Sequence, residues 1–261
     1  MKQSLSSVVH AYRKFGHYKK HEWIDIILSS IVFGFVFSFK MWGDETFNLF
    51  IGLYNWSLFS LFSFFSILVL NFGYKFMALK FGYNTEYKVW KKGLFLNLLV
   101  SFLTNGAAIF LIPGSFNISR NEALMSGKLH FGIEFKEKAF LVFWSFFALV
   151  VYVLLAKMFF PLNVAKAIAT TSFIIAFWML IPMDLLLIKM VKDFPPSYGT
   201  SILWSMWSFA IFVVSFLVIS ALLTFRLASF WPLLVSLSIS IFIYFLFYLW
   251  FDPRKVNRVY K

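Results

Sequence analysis

Cysteine is absent from this chain of 261 residues, and charged residues make up only 13% of it. The absence of Cys excludes disulfide frameworks and thiolate metal sites. The shortage of charge excludes a soluble globular domain, because too little polar surface remains to cover a core. Hydrophobic residues account for 61% of the chain, against roughly 45 to 50% in a soluble domain. We therefore expect an all-α polytopic membrane protein.

Acidic residues are also few, with 11 Asp and Glu against 24 Lys and Arg and a net charge of +13. In a soluble protein this balance would suggest nucleic acid as a partner. In a membrane protein it is typical of loops that stay in the cytoplasm and face anionic lipid. We expect membrane lipids as partners and no nucleic acid.

Long uncharged runs locate the spans, because a helix needs about 20 residues to cross the hydrocarbon core. Seven runs are candidates: Ile26 to Phe39 (extendable to Trp23 and Gly43 around Lys40), Thr46 to Tyr74, Gly93 to Ser119, Ala139 to Ala156, Ala167 to Met183, Phe194 to Phe225 and Leu227 to Phe251. Seven crossings would leave the basic C-terminal tail outside, against the positive-inside rule. If the third run enters and leaves by one face, all basic residues lie inside except Lys40, Lys157, Lys166 and Arg226.

We therefore predict six transmembrane helices plus a re-entrant or short-strand element after the second span. Polar residues, Gly and Pro interrupt that element, and irregular backbone at membrane depth is tolerated only when it is buried in protein or lines a wet cavity. Residues 1–22 form a basic cytoplasmic segment, residues 23–251 the transmembrane domain, and residues 252–261 a basic cytoplasmic tail. The prediction is a multi-pass protein of a prokaryotic plasma membrane with both termini in the cytoplasm.

Four sequence blocks of the chain can be compared with motifs of a known protein family. They are VLNFGYKFMALKFG from Val69, IPGSFNIS from Ile112, SGKLHFG from Ser126 and AFWMLIP from Ala176. They resemble, in order and spacing, segments of the archaeal site-2 proteases, which are intramembrane zinc metalloproteases. The corresponding family segments are the H-E-x-x-H helix, the A-P-G-A-V-x-I-S strand, the N-G-K-I-S-L-A-G segment and the A-L-F-N-L-x-P block. The resemblance implies a site-2-protease-like core over about residues 47–192 and an archaeal source.

The chemistry of that family requires two His one turn apart to bind zinc and a Glu beside the first His as general base. Aligned here, Asn71 stands at the first His, Phe72 at the Glu, Lys75 at the second His and Met179 at the Asn of the F-N motif. A neutral amide and an ammonium cannot replace two imidazole ligands, and Phe cannot accept a proton. The resemblance therefore implies a pseudoprotease with no metal, cofactor or catalytic residue.

Such a protein would bind other transmembrane segments or another integral membrane protein, as a scaffold, a chaperone-like factor or a complex subunit. Two alternatives stay open: an active metalloprotease with unusual ligands, and an unrelated transporter or channel component. Metal analysis separates the first alternative from the pseudoprotease, and a continuous polar pathway would indicate the second.

Two polar features of the spans call for partners. If the family packing is kept, the helices that carry Lys75 and Asp184 adjoin, which predicts an ion pair in place of the zinc crosslink. The simpler interpretation is that Lys75 extends to the headgroups and that Asp184 lies at a helix end in water. Serines also recur three residues apart, which marks a close helix contact within the bundle or with a foreign helix; they are Ser57, Ser60, Ser63 and Ser66.

Overall fold

The computed structural model describes residue 12 and residues 16–43, 47–120, 135–181, 207–226 and 231–250. This part of the chain is mostly helical and contains one two-stranded sheet. In chain order the elements are α1 (Lys20–Ser38), α2 (Leu49–Lys80), β1 (Tyr83–Lys88), α3 (Lys91–Leu103), β2 (Ser115–Arg120), α4 (Phe135–Phe159), α5 (Leu162–Leu180), α6 (Trp207–Arg226) and α7 (Trp231–Trp250).

Four helices are long and apolar enough to cross a membrane within the described residues: Lys20–Ser38, Leu49–Lys80, Glu137–Phe159 and Leu162–Leu180. Helices α6 and α7 contain shorter apolar stretches, Ala210–Phe225 and Leu233–Leu246. The prediction of a mostly helical protein with helices long and apolar enough to span a membrane is confirmed. The count of six spans stays a prediction.

The first two spans differ from the predicted ones at their ends. Helix α1 begins at Lys20, six residues before the uncharged run, and α2 continues past Tyr74 to Lys80. Helix α2 begins where the Asn48 side chain accepts hydrogen bonds from the N–H groups of Phe50 and Ile51. It ends beside Gly82, whose φ of 83° suits glycine and reverses the chain into β1. A charge at position 75 does not end the helix, because Lys75 is buried.

Small residues bring α2 close to three neighbouring helices. A Cβ at Gly34 on α1 would overlap Ser60 Oγ, and one at Gly73 would lie 2.8 Å from the carbonyl oxygen of Trp144 on α4. On the third side, Ser66 Oγ and Ser172 Oγ of α5 share a hydrogen bond of 2.8 Å. The serine stripe therefore packs inside the bundle at Ser60 and Ser66.

The segment between the two strands leaves the sheet and returns to it. Strands β1 and β2 pair antiparallel, with Tyr83 opposite Arg120 and Lys88 opposite Ser115. Helix α3 runs beside α1, and its Phe102 ring lies 5.2 Å from that of Phe39 near the far end of α1. The predicted short strand is thus present as β2, and β1 is its partner. Both ends of the excursion lie at one sheet.

The return of this excursion has identifiable local causes. The chain reverses after α3 at Asn105 and Gly106, which have φ values of 49° and 66°. The Gly106 N–H donates to the carbonyl of Ser101, which satisfies a carbonyl at the helix end. The buried Asn97 Oδ1 then accepts from the N–H of Ile112 at 2.8 Å and ties the returning chain to α3. Polar residues in this run therefore fix its turn and its return.

Cysteine labelling tests whether this excursion fails to cross the membrane. Because β1 and β2 are paired, Lys88→Cys and Asn117→Cys should react with an impermeant thiol reagent from the same side of a sealed vesicle. Lys40→Cys, beyond the other end of α1, should react from the opposite side. The chain has no other Cys to interfere. Labelling of positions 88 and 117 from opposite sides would contradict this topology.

Candidate functional site

The four positions that the resemblance aligns with the protease site lie on two helices. Asn71 and Lys75 lie one turn apart on the buried face of α2, and Lys75 is only 3% exposed. Phe72 lies about 100° further round the helix and is 44% exposed, with its ring 5.4 Å from that of Tyr12. Met179 is buried on α5. Asp184, the predicted partner of Lys75, lies outside the described residues.

Met179 and Asn71 lie at similar depths in the bundle. Helices α2 and α5 run in the same direction, as the Ser66 to Ser172 bond and the shared cluster of Phe62 with Ile168 show. Seven residues separate Met179 from Ser172, and five separate Asn71 from Ser66, which gives a difference of about 3 Å along the axis. The aligned positions therefore lie at one level, although Phe72 faces away from the others.

A buried ion pair occupies the end of α2. Lys75 Nζ donates to both carboxylate oxygens of Glu22, at 2.9 and 2.8 Å, and the Glu22 side chain is fully buried. Because α1 and α2 are antiparallel, the first turn of α1 lies beside the last turns of α2. The interpretation of Lys75 as a side chain that reaches the headgroups is wrong, since both its stem and its ammonium are enclosed.

Three further groups complete this pair. Glu22 Oε1 accepts from the N–H of Tyr87 on β1 at 3.1 Å, and Glu22 Oε2 accepts from the N–H of Lys19 at 3.4 Å. The Lys75 ammonium lies 4.1 Å from the centre of the Tyr18 ring, within the range of a cation–π interaction. A buried ion pair requires such additional partners because each charge loses its hydration on burial.

Helix α1 also closes the edge of β1 that does not pair with β2. Alongside the Glu22 bond, Asp25 Oδ2 accepts from the N–H of Val89 at 3.2 Å. The buried Tyr87 hydroxyl bonds to Ser29 Oγ of α1 and accepts from the N–H of Gly114, both at 3.1 Å. Unpaired N–H groups at a strand edge inside a membrane protein would be costly. Glu22 and Asp25 accept hydrogen bonds from two of them, those of Tyr87 and Val89.

A second, more exposed cluster lies on the outer face of β1. Glu86 accepts a hydrogen bond from Lys19 Nζ, and His21 Nε2 lies 3.2 Å from its other oxygen. The hydrogen bond from Lys19 holds the pKa of the Glu86 carboxyl below its ordinary value and raises the pKa of the Lys19 ammonium. Burial raises the pKa of the neighbouring Tyr18 hydroxyl. These contacts fasten residues 18–21 to the sheet.

Zinc does not fit the residues at the aligned positions. The Lys75 ammonium is paired with Glu22 and has no lone pair for a metal, the neutral Asn71 amide is a weak metal ligand, and Met179 offers only a thioether. Among residues 16–43, 47–120, 135–181 and the described parts of α6 and α7, no three His, Cys, Asp or Glu residues converge on a possible metal position. Both polar atoms of the buried Asn71 side chain lack a hydrogen-bond partner within this described part.

The residue that sequence reasoning missed is Glu22, which belongs to the predicted N-terminal segment. Its position carried a usable signal, because antiparallel neighbours place the start of span one beside the end of span two. Lys75 closes span two, so an acid near the start of span one was a candidate partner. Tyr18 and Tyr87 had no such signal, since their contacts depend on the course of the chain around the sheet.

Comparisons of the chain with protein-family models, with curated proteins and with solved structures found no match.

A double-mutant cycle tests whether Glu22 and Lys75 form a coupled pair. Lys75→Met strands a buried carboxylate and Glu22→Gln strands a buried ammonium, so each should lower the free energy of unfolding by about 3 to 5 kcal/mol. The double variant should recover most of this loss, because the introduced amide oxygen still accepts from the Tyr87 N–H and no charge is left unpaired. The free energies of unfolding of the wild type and the three variants are measured by denaturant titration in mild detergent, with tryptophan fluorescence as the signal.

The matched control for this cycle is Lys80→Met, which removes an exposed lysine from the end of the same helix. It should change the free energy of unfolding by no more than about 0.5 kcal/mol. Additive losses in the double variant would mean that the two charges are not coupled and would reject the pair.

Proposed function

We propose that this chain is a proteolytically inactive membrane protein, built on a site-2-protease-like scaffold, that binds another transmembrane helix. The observation that carries the proposal is the bidentate pair of Lys75 with Glu22. Lys75 stands where the resemblance places the second zinc ligand, and its pair joins α2 to α1, whereas the zinc crosslink would join α2 to the later helix that carries Asp184. The first block lies mainly on α2, the second leads into β2 and most of the fourth lies on α5, whereas the third lies outside the described residues.

The groups at this centre are engaged in ways that favour a structural role. The Glu22 carboxylate accepts from Lys75, from Tyr87 and from Lys19, so its lone pairs are directed at fixed donors. A general base needs a carboxylate oxygen that water can reach, and the oxygens of the buried Glu22 are already occupied by these donors. The centre is therefore suited to hold α1, α2 and the sheet together, which supports a binding role over catalysis at this centre.

The surface best suited to a partner helix is the outward stripe of α2. This helix is the least covered of the four candidate spans, with 28% of its most apolar window buried against 50 to 56% in the others. Four of its eight exposed large side chains follow helical spacing along one face, and they are Phe50, Tyr54, Leu61 and Phe65. Ser60 and Ser66 contact other helices of the bundle, so the partner would pack on the outward stripe instead.

Metal content and cleavage test the inactive state. Because the aligned residues lack two imidazoles and a general base, protein purified without chelators should contain well under one zinc per chain and cleave no transmembrane peptide. Stoichiometric zinc that is lost in Asn71→Ala would instead support an active enzyme with unusual ligands. The measurements are elemental analysis and mass spectrometry of peptide substrates in mixed micelles.

Photo-crosslinking in native membranes tests the partner surface. A photoreactive amino acid at position 61 or 65 should give one discrete protein adduct, because a helix packed on the stripe lies within reach of both positions. Ile27 on α1 and Leu222 on α6 are similarly exposed and serve as controls that should give lipid adducts only. Lipid adducts alone at positions 61 and 65 would contradict the proposed surface.

A further inference from the structure

Every described acidic residue at one end of the bundle has a partner within the protein. This sheet end is defined as the end at which α1, α3 and α4 begin, α2 finishes and the two strands lie. Its described acids have the following partners: Glu22 pairs with Lys75, Asp25 accepts from the Val89 N–H, Glu86 contacts Lys19 and His21, and Glu137 accepts from the Tyr83 hydroxyl. No described carboxylate at this end is left over for other cations.

Lysines at the same end are exposed and have no carboxylate partner within the described part of the chain. They are Lys20, Lys80, Lys88, Lys91 and Lys92. The last three lie within five consecutive positions on either side of the buried Trp90, at the end of β1 and in the first turn of α3. That turn contains no acidic residue, so no carboxylate of the described part of the chain balances these positive charges.

The exposed side chains of α3 change character along the helix. Lys91 and Lys92 begin it, and Phe95, Leu99 and Phe102 follow on the outward side. The buried side carries Leu94, Asn97 and Ser101, so the helix is divided lengthwise. Its 13 residues rise about 20 Å, which exceeds the thickness of one hydrocarbon leaflet, about 15 Å. Charge at one end and apolar surface below it match a phospholipid in shape and polarity.

We propose that Lys88, Lys91 and Lys92 bind the headgroup phosphate of an anionic phospholipid whose acyl chain lies along Phe95 and Leu99. Two antiparallel candidate spans, α1 and α2, place the sheet end at a membrane surface, where lipid phosphates are the abundant anions. Lysine ammoniums on flexible stems reach such phosphates without a fixed geometry. This inference does not rest on the pseudoprotease proposal or on the partner surface of α2.

Native mass spectrometry with defined lipids provides the test. Purified protein in mild detergent is titrated with phosphatidylglycerol and, separately, with phosphatidylcholine of the same chains. Each lysine near the surface contributes about a fivefold preference for anionic lipid, so the wild type should bind phosphatidylglycerol at least tenfold more tightly. Inorganic phosphate should compete poorly, because it cannot contact Phe95, and added salt should reduce the preference by screening.

The decisive comparison uses two triple variants of equal charge change. Lys88→Gln, Lys91→Gln and Lys92→Gln together should bring the ratio of the two lipid affinities close to one. Lys40→Gln, Lys157→Gln and Lys166→Gln, at the opposite end of the bundle, should leave the preference intact. Equal binding of the two lipids by the wild type would overturn the proposal. An equal loss in both triple variants would also overturn it, since net charge rather than this surface would then decide.

Discussion

The ion pair of Glu22 with Lys75 is the contact on which the rest of this structure depends. Two opposite charges are removed from water and can be tolerated only because each finds partners beyond the other. Those partners come from different parts of the chain, namely the Tyr87 N–H of β1, the Lys19 N–H and the Tyr18 ring. One contact therefore fixes α1, α2, the sheet and the segment before α1 at a single place.

The sheet has its position for the same reason. With one edge of β1 held by Glu22 and Asp25, the other edge is free to pair with β2, which brings the chain back after α3. Tyr87 extends this attachment, because its hydroxyl bonds to Ser29 and Gly114 while its ring packs against Phe116. A Cβ at Gly114 would lie 2.6 Å from the Lys88 carbonyl oxygen, so the returning chain passes β1 where only glycine fits.

In this arrangement the central charged residues pair with one another inside the protein, and we propose that the outward surfaces bind other molecules. In an enzyme of the resembling family, the centre of the bundle carries the chemistry and the scaffold supports it. Here the central charges neutralise one another, and the outward stripe of α2 and the divided surface of α3 are what the molecule presents to its surroundings. The function we propose follows from that division. The interior contacts stabilise the fold, and the outward surfaces bind a partner helix and lipid.

The sequence predicted the helical class and the existence of the first spans, because apolar length alone decides them. The serine contacts were also readable, since small residues three apart allow close approach. The start of α1 and the end of α2 were placed too far inside, because the uncharged runs stop at two charged residues that the fold accommodates. Asp25 accepts a hydrogen bond from the Val89 N–H, and the buried Lys75 pairs with Glu22. The partner of Lys75 depends on which carboxylate reaches it. The sequence-based prediction of Asp184 assumed the helix packing of the resembling family, whereas Glu22 is the partner within the described residues.

A dipolar-coupling measurement by solid-state NMR in lipid bilayers tests the pair most directly. With 15N on lysine Nζ and 13C on glutamate Cδ, the contact of Lys19 with Glu86 predicts one dipolar-coupled lysine signal. The Nζ–O distances of 2.8 and 2.9 Å predict a second coupled signal, from Lys75. That signal should vanish in Lys75→Met and keep its shift when zinc is added. A Lys75 signal without coupling to any glutamate, or one that moves on addition of zinc, would contradict the account.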